Sequence, residues 1–282
     1  MGARNCMMIS RRNLLGTAGA LALGIPRLKA DPLGMPVGCQ TYPVRDILAK
    51  DFEGTLRQIA AMGYRRIEMC SPASYAEYRP LAAMKPAEMR KKIEDAGLKC
   101  ESCHYGFREL KENLAERVAY AKELGLTQMV LSSFGLRADA TMADYRQAAT
   151  ELNRIGEESA KSGLPMGYHN HNNEFKELDG VLIYDELMRT FDPKLVKMQF
   201  QVAVISLGYQ AATYLDKYPG RFISMHLADY STTEKKAVPV GSGVVDWKKL
   251  FAAAKTGGIK NYFVEMNLDA MGPSYTYLHA LK

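Results

Sequence analysis

The sequence predicts a single (β/α)8 barrel, and three observations carry that prediction. Short apolar strands alternate with longer helical stretches from residue 37 to the C-terminus, eight strands in all. Seven times a glycine, or a Pro-Gly or Asp-Pro turn, stands just before such a strand. Several strands end in a side chain able to bind metal or move protons, as in Met166-Gly-Tyr-His-Asn-His171, Phe222-Ile-Ser-Met-His226 and Tyr262-Phe-Val-Glu265. A repeated strand with chemistry at its C-terminal end is how such a barrel builds an active site.

The strands read as Val37–Tyr42, Arg66–Met69, Leu98–His104, Gln128–Ser132, Met166–His171, Val196–Val202, Phe222–Leu227 and Tyr262–Met266. Helical periodicity fills the gaps at Asp46–Met62, Pro86–Asp95, Leu114–Leu124, Thr141–Ser162, Val181–Thr190, Tyr209–Lys217 and Trp247–Thr256, with a short last helix near Ser274–Leu281. Gly63, Gly97, Gly125, Gly163 and Gly258 each follow a helical run, where a left-handed C′ residue belongs. Asp46 and Asp246 stand where N-caps are expected. Strictly alternating elements imply parallel pairing with right-handed crossovers. A doubly wound open sheet would show a glycine-rich phosphate turn after an early strand, and none follows Val37–Tyr42.

Of the 282 residues, the first 30 read as an export segment. Paired Arg11 and Arg12 precede a weakly apolar run through Leu21, Leu23 and Ile25. That run falls short of the roughly 20 residues a membrane span needs. This is the twin-arginine pattern, which predicts a periplasmic or other extracytoplasmic location and no stable membrane anchor. Residues 31–282 then form the barrel, close to the roughly 250 residues typical of the fold. Removing Arg4, Arg11, Arg12, Arg27 and Lys29 takes the net charge from +6 to +1, so the basic balance is no sign of nucleic-acid binding. Cys100 and Cys103 form a C-x-x-C inside a predicted strand. Residues three apart in a strand face opposite sides, so the two are read as free buried cysteines rather than a redox or zinc pair.

Strand parity sorts the polar tips. His169 and His171 share one face while Asn170 looks away; His226 shares a face with Ser224; Glu265 and Asn267 share one with Phe263; Gln199 and Gln201 share another. Imidazole and carboxylate converging on one point suit manganese, cobalt or zinc. Gln40, Glu68 and His104, on the first three strands, are candidates for the same cavity. For Glu68 and His104 a substrate hydrogen bond and a structural ion pair stand side by side.

At these residues the chain resembles the sugar phosphate isomerase/epimerase family of xylose isomerase-like TIM barrels. The likeness runs from Gly38-Cys-Gln-Thr-Tyr-Pro-Val-Arg45 through Tyr168-His-Asn-His171, Tyr218-Pro-Gly-Arg-Phe-Ile-Ser-Met-His226 and Val240-Gly-Ser-Gly-Val-Val-Asp-Trp247 to Val264-Glu265. The resemblance implies one divalent metal held by the ends of strands five to eight, commonly by Glu, Asp, His and Glu. Those positions fall on His169, Gln201, His226 and Glu265. The first two depart from the pattern, leaving two histidines and one glutamate for a softer metal, with Gln201 a weak fourth ligand or a substrate contact. Glu174 would restore a carboxylate if its loop folds back.

The implied chemistry is enediolate proton transfer beside a metal-polarised carbonyl, with Glu265 as base and His169 or Glu174 as its partner. His171, Asn267, Gln40, Glu68 and His104 are expected to contact a small carbohydrate; homo-oligomerisation is compatible with this reading. An isomerase or epimerase leads. A 3-keto-glycoside lyase or hydratase using the same metal, and a carbohydrate-binding barrel with a decayed site, are the alternatives. The Val240–Gly243 run is weak evidence for phosphate binding and reads better as an ordinary loop. Abasic-site endonucleases of the same superfamily need several metals, for which this chain has too few histidines.

Overall fold

The computed structural model describes residues 1–2 and 31–281; the rest of the expected export segment lies outside the described residues. Eight parallel strands close into a barrel: β1 (Gly38–Gln40), β2 (Arg66–Cys70), β3 (Lys99–Gly106), β4 (Met129–Ser133), β5 (Met166–His169), β6 (Val196–Gln201), β7 (Phe222–Leu227) and β8 (Asn261–Val264). Each strand pairs with its sequence neighbour among these eight, and β1 closes on β8 through Gly38–Phe263 and Cys39–Val264. Around it run α1 (Arg45–Lys50), α2 (Phe52–Ala61), α3 (Pro86–Asp95), α4 (Phe107–Leu124), α5 (Met142–Lys161), α6 (Ile183–Thr190), α7 (Ala211–Lys217), α8 (Trp247–Gly257) and α9 (Leu268–Ala280).

Outward strand residues such as Met69, Tyr168, Phe200, Met225 and Tyr262 are buried beneath the helices. Each such side chain contributes about 1.5–3 kcal/mol of hydrophobic stabilisation. The barrel interior is unusual in being largely polar. Gln128 and Asn261 pair near its base at 3.1 and 3.3 Å, and Gln128 also donates to Ser102 Oγ at 3.1 Å. Aliphatic layers more often fill this volume. Here the hydrogen-bond net satisfies those buried groups and fixes the height of the chemistry above it.

Several expected boundaries shift for identifiable reasons. The single helix predicted for Asp46–Met62 breaks at Asp51, whose carboxylate caps α2 by accepting from Gly54 N at 2.8 Å. Asp46 therefore lies in the first turn of α1 and is not its cap. The helix predicted from Leu114 begins two turns earlier at Phe107, with a non-helical residue at Asn113 where the sequence signal starts. The last helix starts at Leu268 because Asn267 caps it; Pro273 sits within it and masks its first turns in the sequence. Asp246 does cap α8 through Lys249 N, and the five C′ glycines all take positive φ.

The parity argument for Cys100 and Cys103 fails, although both are buried and free as expected. A bulge in β3 pairs Cys100 with Ile67 and Cys103 with Met69, and residues two apart on β2 share a face. Both cysteines therefore point the same way, outward, and the same bulge turns Ser102 and His104 into the barrel.

Gly156 lets α5 approach the chain entering β6: a Cβ there would sit 2.6 Å from Leu195 O. Gly156→Ala is expected to lower stability by about 1–3 kcal/mol through overpacking. Urea denaturation reads this, and an unchanged midpoint would show that α5 can move away freely.

Candidate active site at the C-terminal mouth

Glu68, on β2, sits at the centre of the polar interior and is fully buried. Its Oε2 accepts from Gln40 Nε2 at 2.8 Å and from His226 Nε2 at 2.5 Å, and its Oε1 accepts from Gln199 Nε2 at 2.8 Å. Burial alone would raise this carboxyl, but the His104 and His226 imidazoles and the hydrogen bonds outweigh it and hold Glu68 at about 2. The Gln199 amide nitrogen also faces Ser224 Oγ at 3.2 Å, so its oxygen is left to accept from His104 Nε2 at 2.7 Å. That bond assigns the His104 proton to Nε2 and frees Nδ1 as a lone pair.

Above this base lie three imidazoles. His104, His169 and His226 each offer a nitrogen, and those atoms lie within 4.8 Å of one another. The His169 and His226 ring centres are 4.3 Å apart. His169 is buried with neither ring nitrogen hydrogen-bonded. An unpaired buried polar group costs about 1–3 kcal/mol, so this ring has lone-pair capacity that no protein group uses. Burial, then the neighbouring His226, hold His169 well below the usual histidine range, so it is a neutral donor. Burial likewise lowers His104, with Glu68 opposing.

His226 behaves differently because it lies between two carboxylates. Its Nδ1 is 3.2 Å from Glu265 Oε2, without the alignment of a hydrogen bond. Burial would lower it, but Glu265 and Glu68 push it up to about 10. Glu68 thus fixes the ring through Nε2 and leaves Nδ1, whose proton a metal would displace, directed at the cluster, the arrangement in which an outer carboxylate orients a metal-ligating histidine. Three imidazoles and one carboxylate fit a divalent transition metal better than magnesium or calcium.

Glu265 follows β8, and its side chain is 20% exposed, lining a cavity of about 780 Å³ that His104 and His171 also reach. Burial raises its carboxyl, but His226 chiefly, with the Gln201 hydrogen bond, brings it below the usual range.

The structure brings together His169, His226, Glu265, Gln40, Glu68 and His104, while His171 stands exposed on the mouth with its ring centre 4.7 Å from that of His169. Three expected residues are engaged otherwise. Gln201 does not present a ligand oxygen: its Nε2 donates to Glu265 Oε2 at 2.5 Å and its Oε1 accepts from Ala203 N at 3.2 Å. Glu174 does not fold back onto the cluster, because Tyr168 Oη and His171 N hold its two oxygens at 2.8 and 2.7 Å. Asn267 caps α9 by accepting from Ala270 N at 3.0 Å. Gln40 supports Glu68 rather than standing free. Sequence reasoning placed Gln199 on the inner face but gave it no role, and gave His104 no ligand role.

The loop from β7 to α8 is organised around Asp229. Its buried carboxylate accepts from the amides of Tyr230, Gly241, Gly243 and Val245 and from Trp247 Nε1, at 2.8–3.1 Å. A Cβ on Gly243 would lie 2.2 Å from Asp229 Oδ1, so glycine is required for this approach. Loops after strands seven and eight are the usual phosphate site of these barrels. Here an internal carboxylate already takes those amides, which bears out the reading of Val240–Gly243 as an ordinary loop.

The sequence profile of the Xylose isomerase-like TIM barrel family matches residues 56–273. The chain belongs to this family. Among curated relatives, it is 26% identical over 190 residues to an inosose dehydratase from Geobacillus thermodenitrificans (strain NG80-2), covering 56% of this chain and 63% of that protein. The crystal structure of a sugar phosphate isomerase/epimerase from Parabacteroides distasonis ATCC 8503 is similar, with TM-score 0.74, 24% identity, and coverage of 86% of this chain and 93% of the other. That of the IOLI protein, which binds a zinc atom, is similar with TM-score 0.65 and 13% identity, over 86% of this chain and 96% of the other. At these identities the structural likeness speaks for the fold. Among the described residues no helix is long and apolar enough to cross a membrane.

Proposed function

We propose that this barrel is a metal-dependent enzyme that moves a proton on a carbon next to the carbonyl of a small, unphosphorylated sugar or keto-sugar, passing through an enediolate. The observation that carries this reading is His169, buried and unpaired at both nitrogens beside His226 and His104, with Glu265 3.2 Å from His226. His169, His226 and Glu265 would hold the ion, with His104 as the further imidazole. A divalent metal there supplies Lewis-acid polarisation of a carbonyl and its neighbouring hydroxyl.

The chain's own groups do the rest. Glu265 is the carboxylate of this cluster that reaches the cavity, and its lowered pKa keeps it anionic as the base. Gln201 aims it, and Glu68 keeps the His226 ring in place. His171, exposed at the mouth, is placed to return or accept a proton from another side. Isomerisation or epimerisation remains the leading reaction.

One observation favours elimination as a second reading. Two opposed carboxylates would serve epimerisation, whereas here Glu68 is locked by hydrogen bonds and Glu174 is engaged elsewhere. A single base beside a polarised carbonyl suits loss of water or of a glycosidic oxygen. The likeness to a dehydratase supports the same reading. Export by the twin-arginine route is part of the proposal and agrees with an unphosphorylated substrate.

Solvent deuterium exchange into ketoses, 3-keto-sugars and their phosphate esters tests the function. We expect metal-dependent exchange into the unphosphorylated compounds at least about tenfold faster, since the Asp229 carboxylate occupies the anion loop. Exchange alone supports isomerisation; release of water or aglycone supports elimination. A preference for the phosphate esters would contradict the substrate class.

A further inference from the structure

The mouth of the barrel is divided. The C-terminal ends of β5 to β8 supply His169, Gln201, His226 and Glu265, whereas the segments that follow β1 to β4 supply a row of aromatic rings. Tyr42, Tyr75 and Phe134 from the loops after β1, β2 and β4, and Phe107 from the first turn of α4, line the same cavity as Glu265 and His171. Its volume, about 780 Å³, gives more room than one pyranose ring fills. Pockets for drug-sized ligands span about 300–1,000 Å³.

The rings are fixed before any ligand arrives. Tyr42 and Tyr75 pack edge to face at 5.8 Å, and Phe107 and Phe134 do so at 5.1 Å. The Arg45 guanidinium lies 4.2 Å over the Tyr42 ring while donating to Tyr42 O at 2.9 Å. Tyr42 N also donates to the oxygen of Gln40, whose amide nitrogen holds Glu68. Phe134 packs on Tyr168 beneath, at 4.6 Å. Tyr42, Tyr75 and Phe107 nevertheless remain partly exposed, with the Lys111 ammonium 4.8 Å over the Phe107 ring. Apolar ring surface held open beside a polar reaction centre favours a second flat, apolar ring face on the ligand.

We propose that this aromatic half is a subsite for a ring beyond the reacting sugar, so that the substrate is a glycoside rather than a free monosaccharide. The inference rests on the function proposed above and names the substrate class of that site. The shared chemistry is an apolar ring face, supplied either by the C–H face of a second sugar or by an aryl group.

Binding of unreactive probes to the metal-loaded protein, by calorimetry, tests this apart from turnover. The probes are methyl and phenyl glycosides of single sugars and methyl glycosides of disaccharides, in the gluco, galacto and manno series, none with a free carbonyl. In at least one series the phenyl glycoside or the disaccharide is expected to bind about tenfold or more tightly than the methyl glycoside. A gain for both identifies a general ring subsite; a gain for one identifies which ring is the natural occupant. Tyr75→Ala and Phe107→Ala are expected to bring that ratio close to one, and Tyr42→Phe to preserve it. Circular dichroism melts verify that each variant is folded. Equal affinity of ring-bearing and methyl probes in all three series, no binding of any ring-bearing probe at 10 mM (about 2.7 kcal/mol), or a ratio that survives both alanine variants, would overturn the subsite. If deuterium exchange fails while the ring preference holds, the proposed reaction is wrong and the subsite stands. If exchange occurs without ring preference, only the subsite is lost.

Discussion

Replacing Glu265 with glutamine is expected to lower the rate of substrate proton exchange by about 10²–10⁴-fold, the usual contribution of a positioned general base. Glutamine keeps the size of the side chain and can still meet Gln201, so the cavity should keep its shape. What disappears is the negative charge beside His226, an anionic metal ligand and the group able to take a proton, so the variant is compared with wild type at equal metal content. Single-turnover deuterium incorporation separates this chemical step from binding. A variant retaining full exchange would remove Glu265 from the role of base and direct attention to His171.

Glu68→Ala is expected to have the largest effect on stability, about 3–5 kcal/mol, because it strands the partners of a buried ion pair. Gln40, Gln199 and His226 would each lose their acceptor at once. The cost should vary with pH in the metal-free protein. Glu68 is lowered from 4.5 to about 2, so its contribution is present above 4.5 and lost as pH falls toward 2. His226 is raised from 6.5 to about 10, so its contribution is complete below 6.5 and lost as pH rises toward 10. The gap between wild type and variant should therefore be widest between these limits and shrink on both sides. Denaturant melts across pH measure it, and a gap independent of pH would show that the pair is not ionised.

The fold was legible because its signals are local and repeated. Strand-helix alternation, C′ glycines and inner-face parity at His169, His226 and Glu265 each need only a few neighbouring residues to be read. What failed depended on longer-range or irregular features. The bulge in β3 reversed the parity of Cys103 relative to Cys100, and no residue type there announces a bulge. Gln201, Glu174 and Asn267 were assigned by position, but their hydrogen-bond partners decide their roles, and two of them face partners outside the cluster. Gln199 was overlooked for the opposite reason. Its importance comes from bridging β2, β3 and β7, which sequence neighbours cannot reveal.

The proposed function requires that three imidazoles and Glu265 form a centre for one divalent metal ion. Elemental analysis of the purified protein after reconstitution, alongside His169→Ala, decides whether they do. Three-histidine sites of this kind hold a single ion. We expect about one equivalent of zinc, cobalt or manganese in the wild type and about a tenth or less in the variant. Wild-type protein that takes up less than about a tenth of an equivalent of any of these ions would rule the metal centre out and leave the unpaired, buried His169 without a ligand.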